Sequence, residues 1–215
     1  MIIQPAEPHV WDYDLIADRL RGPGWVYLPL GVDSSLALDL LQDLHRLPED
    51  QWRQAGIGRR QDHHTNELIR RDATCWLTGN SDAQQRYLAA TEALRVELNR
   101  RLLLGLFDYE CHYARYDSGA FYRKHLDAFR GRSNRVLTTV TYLNPDWNSS
   151  NGGEIVLYDH DDTELAKLPP SLGAMVIFLS EEFPHEVLAA KRSRFSITGW
   201  FRRNNSTADW VDPAR

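Results

Sequence analysis

From residue 135 the chain reads RVLTTVTYLNPD, a run rich in Val, Thr and Tyr that stops at the turn signal Asn144-Pro145-Asp146. Short runs of this kind alternate with turn residues from Tyr109 to about residue 203. Further turn signals are Asp117-Ser118-Gly119, Asn151-Gly152-Gly153, Pro169-Pro170 and Lys191-Arg192-Ser193. Seven or eight short strands at this spacing predict a sandwich or barrel. Asn151-Gly152 predicts a hairpin turn, because both residues tolerate positive φ.

The first half of the chain has helical periodicity. A short helix is predicted from Asp14 to Arg21, followed by a strand over residues 25–28. Asp33 or Ser34 can cap a second helix that ends at Pro48, and Ser81 can open a third, longer one. Leucines recur at helical spacing on both: Leu36, Leu40, Leu41, Leu44 and Leu47 on the second, and Leu88, Leu94, Leu98 and Leu102, with Thr91, on the third. These stripes predict helices packed on one face of a β core.

Between the second and third helices lies a polar segment without clear periodicity, at about residues 51–71. Long irregular segments in small domains often act as lids or binding loops. The segment contains His63-His64, which could bind a metal, although a solvated pair is the favoured interpretation. We therefore predict one domain over residues 1–215, with helical support over 1–108, a β core over 109–203 and a tail over 204–215.

Composition excludes several classes of protein. The 215 residues carry a net charge of −5, with 42% hydrophobic and 26% charged residues, which is typical of a globular domain. An acidic chain is a poor candidate for binding nucleic acid. No apolar run approaches the roughly 20 residues of a membrane helix, and the start lacks the features of a signal peptide. Cys75 and Cys111 are predicted to be free thiols of a cytoplasmic protein.

Two His-x-Asp motifs could bind a metal. On a strand, residues two apart point to the same face, so His125 and Asp127 could meet one ion. The second motif, His160-Asp161-Asp162, lies in an acidic stretch that is typical of a solvated hairpin tip. His125 has Phe121 and Tyr122 nearby, and this partly apolar setting favours it as the ligand.

A third candidate ligand is His185, which follows the apolar run at residues 174–179. Arg194 stands nine residues later, across the turn at residues 191–193, where it is predicted to lie deeper in the barrel than His185. Two histidines and one carboxylate form the facial triad of non-haem iron oxygenases, which leaves open positions on the metal. A 2-oxo acid can occupy two of these positions, and a guanidinium suits its far carboxylate.

With these motifs in place, residues 109–203 resemble the 2-oxoglutarate/Fe(II) dioxygenases, specifically prolyl 4-hydroxylases of the hypoxia-inducible-factor type. The matching stretches are residues 122–127 (YRKHLD), 141–147 (TYLNPDW), 152–154 (GGE), 184–187 (PHEV) and 194–201 (RFSITGWF). Residues 69–72 (IRRD) and Trp76 also match the segment that follows the mobile finger loop of that family.

The resemblance implies a double-stranded β-helix (jelly roll) core with N-terminal supporting helices, an α+β protein that is mainly β. By position, His125, Asp127 and His185 resemble the iron ligands, and Arg194 resembles the partner of the 2-oxoglutarate carboxylate. Tyr142 would be a second donor to the co-substrate, Tyr116 and Thr198 would line its pocket, and Arg135 and Trp200 would border the substrate proline. The segment from about Gln51 to Arg71 would be the finger loop.

The implied activity is prolyl 4-hydroxylation with Fe(II), 2-oxoglutarate and O₂, with ascorbate as a further expected cofactor. The resemblance to bacterial members suggests a proline of elongation factor Tu as the target. Residues 128–131 (AFRG) depart from the vertebrate enzymes, which leaves the substrate least determined. Two alternatives stay open: an oxygenase acting on another protein residue, a small molecule or a nucleic-acid base, and a non-enzymatic cupin-like barrel that binds a metal or small ligand.

Overall fold

A computed structural model describes residues 11–55, 70–128 and 133–206. Residues 56–69 of the predicted finger loop lie outside this part of the chain, and so do His63 and His64. Most of the predicted tail also lies outside it. None of the helices within these ranges is long and apolar enough to cross a membrane.

A side-chain cap begins each of the three α-helices of the described chain, and for the second and third it is a cap that the sequence predicts. Helix α1 (Tyr13–Arg21) begins after Asp12, whose carboxylate accepts a hydrogen bond from the Leu15 amide. Helix α2 (Ser34–Arg46) has the predicted cap Asp33, and helix α3 (Asp82–Leu102) has the predicted cap Ser81. Each cap satisfies backbone N–H groups that have no partner inside the helix.

Eleven strands within the described ranges form two antiparallel sheets. They are β1 (Trp25–Leu28), β2 (Arg53–Gln54), β3 (Asp72–Trp76), β4 (Asp108–Tyr116), β5 (Tyr122–His125), β6 (Arg135–Tyr142), β7 (Ile155–Tyr158), β8 (Glu164–Leu168), β9 (Met175–Leu179), β10 (His185–Val187) and β11 (Arg194–Arg202). The major sheet has the order β1-β9-β6-β11-β4-β3-β2, and the minor sheet has the order β5-β10-β7-β8. Eight strands follow residue 107, as the sequence predicts.

The major sheet is covered on both faces. On one face, Met175 and Ile177 of β9 pack against the helices. They share a core cluster with Leu40 of α2 and with Leu94 and Leu98 of α3. The intervening side chains of β9, Val176 and Phe178, pack instead against Ile155 and Leu157 of the minor sheet. A strand buried on both faces is apolar throughout rather than alternating. Helices on one face and a second sheet on the other confirm the predicted β-helix core with helical support.

The predicted Asn151-Gly152 hairpin is wrong. Ser149–Asn151 form a 3-10 helix, capped by the Asn148 side chain, and Gly152 follows it with a φ of 69°. The strands on either side, β6 and β7, belong to different sheets and do not pair. The turn at residues 191–193 likewise joins β10 of the minor sheet to β11 of the major sheet. Turn chemistry is local, whereas the sheet that a strand joins depends on distant partners.

We expect Gly199→Ala to lower the free energy of unfolding by about 2 kcal/mol, the usual cost of overpacking a core. A methyl group at Gly199 would overlap the ring of Tyr109 and would lie 2.8 Å from Cys111 Cβ. The Tyr109 hydroxyl cannot move freely, because it bonds the Thr139 hydroxyl at 2.8 Å and the Tyr87 hydroxyl at 3.2 Å. Denaturant unfolding measures the change. The control Gly22→Ala, whose methyl would meet only the Asp18 carbonyl oxygen at 3.3 Å, should cost less.

Candidate active site

A cavity of 1370 Å³ lies between the two sheets. Strands β3, β4, β6 and β11 supply one wall through Thr74, His112, Thr138 and Thr198, while β5 and β10 supply the other. Cross-strand register sets these side chains in rows, since Thr198 pairs with His112 of β4 and with Val140 of β6. The register therefore determines which distant residues share the cavity.

Three candidate metal ligands meet in this cavity. His125 ends β5 and His185 begins β10, and the two are direct register partners in the minor sheet. Asp127 lies just past the end of β5, not on the strand as predicted. Its Oδ1 is 3.5 Å from His125 Nε2, and its Oδ2 is 3.7 Å from His185 Nε2. One ligand atom from each residue lies within 4.8 Å of the others, so the three could hold one metal ion.

Backbone carbonyls fix the tautomer of both histidines. His125 Nδ1 donates to the Arg123 carbonyl at 2.7 Å, and His185 Nδ1 donates to the Phe183 carbonyl at 3.0 Å. In both residues Nε2 is then the ring nitrogen available to a metal ion, which is the usual arrangement for a metal-binding histidine. Burial lowers the pKa of His185 to about 4, so the imidazole is neutral at pH 7, the form that binds metal.

Two side chains from the major sheet hold Asp127. Its Oδ2 accepts hydrogen bonds from the Thr138 hydroxyl at 2.8 Å and from the Trp200 indole N–H at 3.1 Å. Burial by itself would raise the pKa of Asp127, but His185 and His125 hold it well below its usual value. The group is therefore a carboxylate, with Oδ2 fixed by two donors.

Arg194 forms the second centre of the cavity. It is 1% exposed, and its register partner Tyr116 lies beside it, with the guanidinium carbon 5.0 Å from the ring centroid. Nε donates to the Gly153 carbonyl at 2.9 Å, and Nη1 donates to the Ser196 hydroxyl at 3.3 Å. Within the described chain, Nη2 and the Tyr142 hydroxyl are buried with no partner at hydrogen-bond distance.

These two orphaned donors are unusual, because buried polar groups are nearly always hydrogen-bonded. Burial raises the pKa of Tyr142, and the nearby guanidinium only partly opposes this shift, so the phenol keeps its proton and can donate. The backbone at Gly153, which accepts the bond from Arg194 Nε, lies close to this side chain. Its φ is 77°, and a methyl group there would lie 3.4 Å from Arg194 Cδ and 2.9 Å from Ala190 Cβ. A buried cation and a phenol that lack an acceptor suit an anionic oxygen ligand.

The remaining predicted residues line the same cavity. The Arg135 guanidinium lies over the Trp200 ring, with its carbon 3.5 Å from the ring centroid. Thr198 lies in the row between Trp200 and Arg194. Two further residues of the cavity, Thr138 and His112, were not predicted from the sequence. The centroid of the His112 ring lies 5.5 Å from that of the Trp200 ring. Only the strand register, which places Thr138 opposite Trp200, identifies Thr138 as a partner of Asp127.

His160 and the two cysteines do not line this cavity. His160 is exposed in the turn between β7 and β8, and its ring pairs with Glu182 at 3.0 Å. Cys75 and Cys111 are free and buried. Arg70, in the segment that matches the region after the finger loop, does line the cavity. It forms an ion pair with the buried Asp72, and its guanidinium carbon lies 4.5 Å from the Tyr122 ring centroid.

The chain is similar to known proteins in both sequence and fold. Residues 111–202 match the model of the 2OG-Fe(II) oxygenase superfamily. The fold is similar to the crystal structure of a Pseudomonas putida prolyl-4-hydroxylase, with a TM-score of 0.80 and 38% identity, over 89% of this chain and 98% of that chain. It is also similar to a Trichoplax adhaerens prolyl hydroxylase in complex with a hypoxia-inducible-factor peptide, with a TM-score of 0.78 and 26% identity, over 88% of each chain.

Curated relatives match over a shorter stretch. Egl nine homolog 1 of Rattus norvegicus is 31% identical over 86 residues, which is 39% of this chain and 25% of that protein. The hypoxia-inducible factor prolyl hydroxylase of Caenorhabditis elegans is 34% identical over 86 residues, which is 12% of its length. The match thus spans a quarter or less of these two proteins.

Proposed function

Because the chain belongs to the 2OG-Fe(II) oxygenase superfamily, among its prolyl-hydroxylase-type members, we propose that it hydroxylates a proline of a protein substrate. Fe(II), 2-oxoglutarate and O₂ are the reactants that the family implies. The observation that carries the proposal is one cavity holding both a two-histidine, one-carboxylate cluster and a buried arginine with an orphaned donor. A cupin-like barrel that only binds a metal would not require that arginine.

We propose that His125, Asp127 and His185 bind the iron. Two imidazoles and one carboxylate are the ligand set that ferrous oxygenases use, and three protein ligands leave positions for co-substrate and O₂. When bound, the iron supplies the oxidative decarboxylation of 2-oxoglutarate to succinate and CO₂, with insertion of oxygen into a C–H bond. Thr138 and Trp200 keep Oδ2 of Asp127 in place while Nε2 of each histidine faces the same point.

We propose that Arg194 binds the far carboxylate of 2-oxoglutarate, with the Tyr142 hydroxyl as a second donor. The bond from Nε to Gly153 fixes the plane of the guanidinium, so Nη2 is already oriented for a carboxylate oxygen. Tyr116 and Thr198 line the same cavity as Arg194 and the metal cluster, which supports the proposal that they border the co-substrate. At the other end, Arg135 and Trp200 would border the substrate proline.

The specific substrate that we propose is elongation factor Tu, which the resemblance to bacterial prolyl hydroxylases suggests. Ascorbate as an auxiliary reductant and a cytoplasmic location remain predictions. We also propose that residues 1–215 work as one domain. In support, a single core cluster contains residues of α1, α2 and α3 together with Tyr113, Ile197 and Phe201 of the major sheet.

Mass spectrometry of elongation factor Tu tests this proposal. After incubation with the protein, Fe(II), 2-oxoglutarate and air, one proline should gain the mass of one oxygen atom. The gain should be absent with Arg194→Ala. Succinate formation without any gain would retain the oxygenase and reject this substrate. If the fully metallated protein forms no succinate, the oxygenase proposal itself is wrong.

A further inference from the structure

A cluster of buried charges lies beside Trp200. This charge ladder consists of Asp108 and Glu110 on β4, Arg135 on β6 and Arg202 on β11. Asp108, Glu110 and Arg202 are each less than 9% exposed, and the Arg135 side chain is 20% exposed. Two carboxylates balance two guanidinium groups, as buried ions require.

Within the ladder, each carboxylate has its own arginine. Asp108 accepts two hydrogen bonds from Arg202, one of them from Nε at 2.9 Å. Glu110 Oε1 accepts from Arg135 Nη2 at 3.1 Å and from Nε at 3.4 Å. The contact between Arg202 and Glu110 is longer, at 3.5 Å from Nη1 to Oε2. Within the ladder, therefore, Asp108 bonds Arg202 and Glu110 bonds Arg135.

The position of Arg135 matters because its guanidinium lies on the Trp200 ring, and Trp200 donates to Asp127. Glu110 on β4 is the register partner of Trp200 on β11, so the two residues lie side by side on neighbouring strands. A long arginine side chain loses considerable rotamer freedom when it is held in one place. Glu110 offsets that loss with a charge-assisted pair in a poorly solvated site.

We propose that Glu110 is a positioning residue, which holds Arg135 against Trp200 so that the two present one substrate-binding surface next to Asp127. The inference rests on the proposed function, in which Arg135 and Trp200 border the proline. A purely structural Glu110 would stabilise the fold just as Asp108 does. A positioning Glu110 also controls where the guanidinium lies.

Nuclear magnetic resonance of the metal-free protein tests the position of Arg135. The indole N–H signal of Trp200, assigned with Trp200→Phe, should move in Glu110→Gln, because the cation leaves the face of the ring. Asp108→Asn is the matched control: it removes a buried charge from the same ladder but acts on Arg135 only indirectly, through Arg202 and Glu110, so the signal should move much less than in Glu110→Gln. In an Arg135→Gln background, Glu110→Gln should add little further shift, because both changes act on one contact.

An unmoved Trp200 signal in Glu110→Gln, or equal shifts in Glu110→Gln and Asp108→Asn, would overturn the inference. If Glu110→Gln does not fold, Arg135→Gln alone should reproduce the shift of the Trp200 signal. These measurements need neither iron nor substrate, so they stand even if the proposed function fails.

Kinetics on a prolyl peptide of elongation factor Tu supply the second readout. Glu110→Gln should raise the KM for the peptide about ten-fold, the effect of losing one charge-assisted hydrogen bond. The KM for 2-oxoglutarate should be unchanged, since Arg194 lies at the other end of the cavity. Equal rises in both KM values would contradict a role in positioning. If the wild-type protein does not oxidise this peptide, the proposed substrate is wrong, and the magnetic resonance data alone decide the inference.

Discussion

Asp127→Asn should abolish turnover and weaken Fe(II) binding by at least about 100-fold, because even losing the partners of a metal ligand costs about 10- to 100-fold. The reason lies in the hydrogen bonds of Asp127. Its Oδ2 accepts from Thr138 and Trp200, which are both donors. An asparagine must turn its single oxygen either to these donors or to the metal. If the oxygen faces Thr138 and Trp200, the amide N–H₂ faces the metal. If the oxygen faces the metal, the amide N–H₂ faces these two hydrogen-bond donors.

The second His-x-Asp motif provides the matched control. Asp162→Asn makes the same chemical change at an exposed position, where Asp162 pairs with Lys124 at 3.1 Å. Asp162 has a φ of 64°, a conformation that asparagine also adopts readily. His125→Ala and His160→Ala form a parallel pair. Titration of the metal-free proteins with Fe(II) under anaerobic conditions, together with succinate formation, measures both effects. A fully active Asp127→Asn or His125→Ala protein would rule out the metal site.

Arg194→Met should raise the KM for 2-oxoglutarate roughly 100-fold, the effect of losing about two charge-assisted hydrogen bonds. Methionine fills part of the same volume but has neither a charge nor a hydrogen-bond donor. The substitution therefore removes Nη2, which has no acceptor within the described chain. Tyr142→Phe, which removes only the hydroxyl, should have a smaller effect in the same direction. Metal affinity should be unchanged in both, because neither residue is among the three metal-ligand candidates.

Ligand-induced stabilisation measures this effect without turnover. The melting temperature of the wild-type protein should rise with 2-oxoglutarate in the presence of a redox-inert divalent ion, and the rise should be absent in Arg194→Met. Arg192→Met is the control, since Arg192 is exposed in the preceding turn and lies 5.0 Å from the Trp147 ring centroid. Equal stabilisation of wild-type and Arg194→Met proteins would show that the co-substrate carboxylate binds elsewhere.

The sequence alone predicts most of the secondary structure. Caps such as Asp33 and Ser81 act within three residues of themselves, so the helix starts can be predicted locally. The leucine stripes predict the face that each helix buries, and turn residues predict that β7 and β8 form a hairpin with His160 at its tip. The Asn151-Gly152 hairpin fails because a glycine with positive φ also suits the end of a 3-10 helix.

For the site, the sequence supplies the chemical groups: His-x-Asp, His and Arg in that order predict a facial triad with a carboxylate partner. Only the tertiary structure decides how they meet. His125 and His185 are 60 residues apart, yet they are register partners. Asp127 leaves its strand and turns toward Thr138 and Trp200. The physical reason is that capping and periodicity act over a few residues, whereas sheet register depends on how two distant faces pack together. The same register places Glu110 beside Trp200.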